Sequence, residues 1–196
     1  RCLVCGTGGV NGGGNALTFL RLLHERSMDA TRSRDDLAAD RKLDPSALAE
    51  WGVCRSVVDG AWMVPGYDTA GKLTQLYRRT PMLKDGECVQ TLLPTPGIWP
   101  DCKVHALHVQ VSGTASHVFV CEGPWDGIAL WDAMRRYRWD GGQLVPTGNE
   151  SSSLLADACV VAVPGCQTFR PEWVVWCKGK VVTLLYDSDH PRERNG

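Results

Sequence analysis

The chain has 196 residues, of which 43% are hydrophobic and 22% charged, and its formal net charge is -1. This length and composition are typical of one large or two small globular domains with a sizeable core. With a net charge this close to zero, the chain as a whole is not a polycation. Any contact with nucleic acid must therefore come from local basic patches, and we expect it to be sensitive to salt.

The chain has nine cysteines, an odd number without the spacing of a disulfide framework. No apolar run approaches the length of a membrane span, and the first residues do not form a signal peptide. We therefore expect a reducing, cytoplasmic compartment and no membrane partner.

The first segment, "CLVCGTGGVNGGG", is rich in glycine and contains Cys2 and Cys5 in a C-x-x-C pair. Two sulfurs at this spacing suit one edge of a tetrahedral zinc site, but they supply only two of the four ligands. The alternative is a pair of unliganded cysteines in a turn. After this segment, Asn15 is a plausible N-cap for a helix over "ALTFLRLLHER".

The middle of the chain predicts a short helix followed by a hairpin. Asp44 and Pro45 begin the helix "SALAEW", and Gly52 ends it. The segment "AWMVPGYDTAGKLTQLYRR" predicts two strands around a turn at residues 69–71. Residues 81–103 are rich in turn residues, and we expect them to be irregular.

From residue 117 the pattern changes to strands and helices in alternation. "HVFVC" predicts a strand that ends at Glu122, and "PWDGIALWDAMRRYRW" predicts a helix over residues 124–139. "CVVAVPG" and "VVTLLY" predict two more strands, both apolar throughout. Apolar strands that alternate with helices indicate a parallel sheet in an α/β layer.

Carboxylates follow two of these predicted strands. Asp187 and Asp189 are two residues apart, so in an extended segment they project from the same side. They lie at the carboxyl end of a strand, where open α/β sheets bind their ligands, and Glu122 follows another strand. If the strands are neighbours, the three acids converge and require a cation such as Mg²⁺ or Mn²⁺. The alternative is that they are ordinary turn residues.

The same residues carry a resemblance to a known family. "VFVCEGPWDGIAL" resembles the first motif of Toprim domains, "VVAVPG" the middle strand, and "VVTLLYDSD" the D-x-D strand. The resemblance implies that Glu122, Asp187 and Asp189 are catalytic and form an acidic metal centre. Asp126 matches the helix aspartate of the first motif, which places it near nucleotide or template.

The first 110 residues resemble DnaG-type primases. The N-terminal segment is similar to the second half of a primase zinc ribbon. "LAEWGVCRSVVDGAWMVPGYDTAGKLTQLYRR" is similar to the N-terminal subdomain of the primase catalytic core. This resemblance implies that Arg78, Arg79 and Lys72 lie near template or nucleotide.

The resemblance implies an α/β fold in three parts. These are a zinc-ribbon remnant with its following helix (residues 1–28), the N-terminal subdomain of the core (residues 29–115) and a Toprim-like parallel sheet (residues 116–196). The chain would then be a fragment of a phage or mobile-element primase, truncated at both ends, from a bacterium or an infected host cell.

The implied activity is synthesis of short RNA primers on single-stranded DNA. Nucleoside triphosphates are the substrates, Mg²⁺ or Mn²⁺ is required, Zn²⁺ is present in the full-length protein, and a replicative helicase, fused or separate, is a partner. Two alternatives remain open. One is a Toprim nuclease or topoisomerase-like enzyme that cleaves DNA, and the other is a non-catalytic adaptor that binds nucleic acid.

Overall fold

A computed structural model describes residues 13–84, 86–95, 115–165 and 168–187. Three helices open the described part: α1 (Gly13–Ala30), α2 (Asp35–Arg41) and α3 (Pro45–Glu50). The predicted first helix is present, but it begins at Gly13, so Asn15 lies within it and is not its N-cap. No helix among the described residues is long and apolar enough to cross a membrane.

Local signals define α2 and α3 at their ends. Lys42 ends α2 in the left-handed conformation, with φ of 56°. The Asp44 side chain caps α3 by accepting a 2.7 Å hydrogen bond from the backbone N–H of Ser46, and Pro45 occupies the first turn. This start of α3 confirms the sequence prediction, because the cap and the proline act without help from distant residues.

The first sheet contains four antiparallel strands in chain order: β1 (Cys54–Arg55), β2 (Trp62–Tyr67), β3 (Leu73–Lys84) and β4 (Glu87–Pro94). The predicted turn between β2 and β3 is confirmed. There Asp68 Oδ1 accepts hydrogen bonds from the backbone N–H groups of Ala70 and Lys72.

The prediction of irregular structure over residues 81–94 is wrong, because β3 and β4 pair in regular register from Tyr77–Pro94 to Lys84–Glu87. The outer half of this ribbon is mostly exposed on both faces. It therefore lacks the alternation of apolar and polar residues by which a strand is recognised.

The second sheet is parallel and contains β5 (His117–Cys121), β8 (Ala158–Ala162) and β9 (Val181–Leu185), with β5 in the middle. Helix α4 (Pro124–Arg136) follows β5. The chain then forms the antiparallel hairpin β6 (Tyr137–Asp140) and β7 (Gln143–Pro146) before it returns to β8.

The prediction that the helix continues to residue 139 is wrong. Tyr137 is already extended, with φ of -127° and ψ of 154°. Gly141 and Gly142 both have positive φ, 56° and 85°. Two such residues form the tight turn that joins hairpin strands, and this local signal ends the helix.

The two halves of the chain share one core. Trp51, at the end of α3, is fully buried and packs with Ile128 and Trp131 of α4 and Ala162 of β8. A Cβ atom on Gly127 would lie 2.8 Å from both the Trp51 ring and Ala162 Cβ. This close approach places the first turn of α4 against the end of α3.

Strand β9 differs from the buried strand that its composition predicts. Val181 is 57% exposed and Leu184 is 65% exposed. Within the described residues β9 is an edge strand that pairs only with β5. An apolar sequence at a sheet edge is exposed when no other element covers it, so composition alone did not predict this environment.

Candidate functional site

Two acidic residues meet at the carboxyl edge of the parallel sheet. Glu122 directly follows β5 and Asp187 lies two residues after β9, and these strands are neighbours in which Cys121 pairs with Leu185. The backbone N–H of Asp187 donates a 3.0 Å hydrogen bond to Glu122 Oε2. The backbone N–H of Glu122 donates to the carbonyl of Leu185 at 3.2 Å. Residues 65 positions apart are thus in direct contact.

Asp126 adds a third carboxylate from the first turn of α4. Partial loss of water around its carboxyl group raises the pKa of Asp126, and the negative charges of Asp187 and Glu122 raise it further. Gly123 is the N-cap of α4. A Cβ atom on Gly123 would lie 3.3 Å from Asp126 Oδ2, so the glycine leaves room for this carboxyl group. The Glu-Gly-x-x-Asp spacing therefore places both acids at one corner of the sheet.

These oxygens are the donor type that a divalent cation such as Mg²⁺ prefers, and their mutual repulsion favours a cation. In the described ranges, however, no three His, Cys, Asp or Glu side chains are grouped as a metal-ligand set. Glu122 and Asp187 thus supply part of such a set. Asp189 lies outside the described residues, as do Cys2 and Cys5.

A cationic pair lies beside the acids. Arg79 of β3 donates a 2.7 Å hydrogen bond to Asp40 Oδ2, and Arg41 Nε lies 3.5 Å from the same oxygen. Burial lowers the pKa of Arg41, and the positive charge of Arg79 lowers it further, whereas Asp40 and Asp126 raise it. The Arg41 guanidinium therefore lies within electrostatic reach of both Arg79 and the acidic cluster.

Helix α4 supports this pair through an aromatic ring. The Cζ atom of Arg41 lies 5.0 Å from the centroid of the Trp125 ring, a cation–π contact. Trp125 directly precedes Asp126 in the chain. One turn of α4 thus presents a carboxylate to the acidic cluster and a ring to the neighbouring guanidinium.

The structure separates Arg78 from Arg79. Successive residues of a strand point to opposite faces, and Arg78 forms an ion pair with Asp59 in the loop between β1 and β2. Lys72 lies in the turn before β3, seven residues from Arg79, which is about 23 Å along a strand. Of the basic residues predicted from the sequence, the structure brings Arg79 close to Arg41 and leaves Lys72 distant.

Sequence reasoning missed Asp40, Arg41 and Trp125. Arg41 and Trp125 are 84 positions apart, and they meet because α3 and α4 share the core around Trp51. A tryptophan in an amphipathic helix is more often a core residue. The position of Trp125 in the helical pattern therefore did not indicate a contact with an arginine. The one available signal was the run Asp40-Arg41-Lys42, which is common on solvated helices.

No protein-family model and no curated protein matches the sequence. The fold is similar to solved structures of DnaG primases. With the RNA polymerase domain of Mycobacterium tuberculosis primase DnaG the TM-score is 0.57 and the identity 12%, over 92% of this chain and 69% of that chain. With a DnaG primase catalytic domain bound to single-stranded DNA the TM-score is 0.56 and the identity 13%, over 90% of this chain and 64% of that chain.

The zinc-binding and RNA polymerase domains of the Aquifex aeolicus primase give a TM-score of 0.52 and 14% identity. That match covers 89% of this chain and 47% of the Aquifex chain, so the present chain spans about half of that length. At these identities the likeness is one of fold. The chain has the mixed α/β fold of a DnaG primase catalytic domain.

Proposed function

We propose that the chain is the catalytic part of a DnaG-type primase with a Toprim-like acidic centre, which synthesises short RNA primers on single-stranded DNA. The observation that carries the proposal is the contact of Glu122 with Asp187 at the carboxyl edge of the parallel sheet, with Asp126 beside them. The fold supports it, because the similar structures are DnaG catalytic domains and one of them is bound to single-stranded DNA.

In this proposal Glu122, Asp187 and Asp189 would hold Mg²⁺ or Mn²⁺. When bound there, a divalent ion would lower the pKa of an attacking 3′-hydroxyl group and would stabilise the charge of a leaving pyrophosphate. The hydrogen bond from the Asp187 N–H to Glu122 Oε2 fixes the orientation of the glutamate. Asp126 increases the negative potential that attracts a cation to this edge.

The basic residues of the chain would position the nucleotide phosphates. Arg79 is only 16% exposed and is held by Asp40 close to Arg41, so its fork of N–H donors is preorganised for a phosphate. Cys2 and Cys5 would form half of a Zn²⁺ site in the longer protein, and a replicative helicase would be a partner. The incoming nucleoside triphosphate and the template DNA are the proposed ligands of this site.

The test is primer synthesis by Glu122→Gln and Asp187→Asn variants. Single-stranded DNA, nucleoside triphosphates and Mg²⁺ are supplied, and labelled oligoribonucleotides are measured. Loss of a carboxylate that binds the cation is expected to reduce synthesis by about 100-fold or more. Asp140→Asn is the matched control, because Asp140 is exposed in the β6–β7 hairpin and pairs only with Arg138 among described residues.

The same reactions also separate the alternatives. New oligoribonucleotides that require Glu122 support the primase. Shortened DNA with no new RNA would instead identify a nuclease that uses the same acids. DNA binding that is indifferent to Glu122→Gln, without either product, would identify an adaptor.

A further inference from the structure

One face of the β6–β7 hairpin is apolar and turned to solvent. Tyr137 pairs with Pro146 across the two strands, and Trp139 pairs with Leu144. Cross-strand partners lie on the same face of a sheet, so these four residues form one surface. All four are exposed, Trp139 to 64% and Leu144 to 53%. The hairpin therefore presents two aromatic rings, a leucine and a proline side by side to solvent.

The opposite face of the hairpin carries its charged residues. Arg138 and Asp140 form an ion pair of 2.9 Å there, and Arg138 and its cross-strand partner Val145 are half-buried. A hairpin that packs on one side normally turns its apolar residues to the core and its polar residues to solvent. This hairpin does the reverse, and an exposed apolar surface of that kind marks a site of contact with another molecule.

The apolar face lies away from the acidic corner of the parallel sheet. Helix α4 starts beside that corner and leads directly into β6. Asp126 and Tyr137 are eleven positions apart in the chain, which is about 16 Å along a helix. A molecule bound to the hairpin therefore leaves the acidic corner accessible.

The charges around the hairpin favour a neutral partner over nucleic acid. The three neighbouring arginines are already paired with carboxylates, Arg135 and Arg136 with Asp132, and Arg138 with Asp140. A site for single-stranded DNA combines aromatic rings with basic groups that are available to the phosphates. A second copy of the chain instead brings the same neutral and apolar face, so the contact buries apolar surface without opposing like charges.

The size of the face determines how strong such a contact is. From the area that buried aromatic side chains cover, its four side chains expose roughly 300–400 Å² per chain. A standard stable interface buries about 800 Å² per partner. The face is therefore suited to a weak and reversible dimer, not a permanent one.

We propose that this face, formed by Tyr137, Trp139, Leu144 and Pro146, is a self-association surface on which two copies of the chain pack face to face. A two-fold axis brings Trp139 of each copy against Leu144 of the other, because such an interface uses the same surface patch twice. The surface is independent of the proposed activity, so the failure of one proposal leaves the other standing.

Sedimentation velocity of the full chain at about 5–500 µM, the range of a weak interface, measures the contact. The average mass of the wild-type protein is expected to rise with concentration toward that of two chains. Trp139→Ser is expected to weaken dimer formation about 30-fold or more, because the ring is lost from both copies. Leu144→Ser is expected to weaken it about ten-fold, and Trp139→Phe, which keeps an aromatic ring, less than Trp139→Ser.

Leu184→Ser is the matched control for Leu144→Ser. Leu184 is 65% exposed on β9, so the variant removes a similarly exposed leucine from a different surface. Gln143→Ser changes the polar face of the hairpin. Both controls are expected to associate as the wild type does. Equal weakening by Leu184→Ser and Leu144→Ser would show general apolar association and would overturn the proposal, as would a wild-type chain that stays monomeric throughout.

Binding of a labelled single-stranded oligonucleotide, followed by fluorescence anisotropy, tests the other occupant. Equal affinity in the wild type, Trp139→Ser and Leu184→Ser supports the proposed self-association surface. Affinity that is reduced by Trp139→Ser alone, with no change in the average mass, would assign the face to nucleic acid and would overturn the proposal. Circular dichroism melting of each variant confirms that it is folded.

Discussion

Replacing Gly127 with alanine is expected to destabilise the protein, although alanine is the better helix former. The added Cβ atom would lie 2.8 Å from Ala162 Cβ on one side and 2.8 Å from Trp51 Cη2 on another. Neither neighbour can move freely, because Ala162 Cβ is attached to the backbone of a buried strand and Trp51 is fully buried. Helix α4 must therefore shift away from the sheet.

The expected change in the free energy of unfolding is the sum of two opposing contributions. Overpacking of a core costs about 1–3 kcal/mol, and contacts on two sides place this substitution in the upper half of that range. Replacing glycine by alanine within a helix recovers about 1 kcal/mol. The expected net loss is about 1–2 kcal/mol, which lowers the melting temperature by about 2–8 °C in a chain of this size.

Thermal unfolding of Gly127→Ala, followed by circular dichroism, measures this loss. Gly148→Ala is the control, because a Cβ atom there has no neighbour within 4 Å and the residue is not in the left-handed region. The control is expected to unfold at or slightly above the wild-type temperature. A Gly127→Ala protein as stable as the control would refute the close packing of α4 against Trp51 and β8.

Two further predictions concern pH. The hydrogen bond from the Ser46 hydroxyl group, aided by Arg136, lowers the pKa of Asp44 to about 2. The Asp44 carboxylate therefore stabilises the folded protein fully at pH values above its pKa in the unfolded chain, and this stabilisation is lost as pH falls toward 2. Asp44→Asn keeps the helix cap and is expected to reduce the acid dependence of urea unfolding between pH 4 and 2; an unchanged dependence would contradict this cause. Because the folded state raises the pKa of Asp126, its ionisation costs stability as pH rises above the unfolded pKa. Asp126→Asn is expected to raise the melting temperature at pH 7.5 more than at pH 4 in metal-free buffer. An equal rise in melting temperature at the two pH values would contradict the repulsion of Asp126 by Glu122 and Asp187.

Local signals were sufficient for the parts of the fold that local residues determine. The start of α3 follows from Asp44 and Pro45, whose cap and fixed φ need no distant partner. The turn of the β6–β7 hairpin also has a local signal, the pair Gly141 and Gly142. The sequence prediction nevertheless continued helix α4 into the residues that form β6. The ribbon of β3 and β4 had no such signal, because its outer residues are exposed on both faces.

The candidate site also has a part that could be predicted from the sequence and a part that could not. That Glu122 and Asp187 lie close together follows from strand order, since parallel neighbours end at one edge of a sheet. The contact of Arg41 with Trp125 depends on how α2, α3 and α4 pack, and no periodicity encodes that arrangement. The alternation of β3 places Arg78 and Arg79 on opposite faces, but only the packed structure shows which face lies beside Arg41.

The most direct test of the account is the stoichiometry of one bond-forming step. Wild-type protein with single-stranded DNA, Mg²⁺ and nucleoside triphosphates is predicted to release one pyrophosphate for each phosphodiester bond in a new dinucleotide. Glu122→Gln is predicted to reduce both products together by about 100-fold or more, and the Asp140→Asn control is predicted to retain them. Equal dinucleotide formation by wild type and Glu122→Gln would contradict the central claim that the acids at the edge of the parallel sheet carry the reaction.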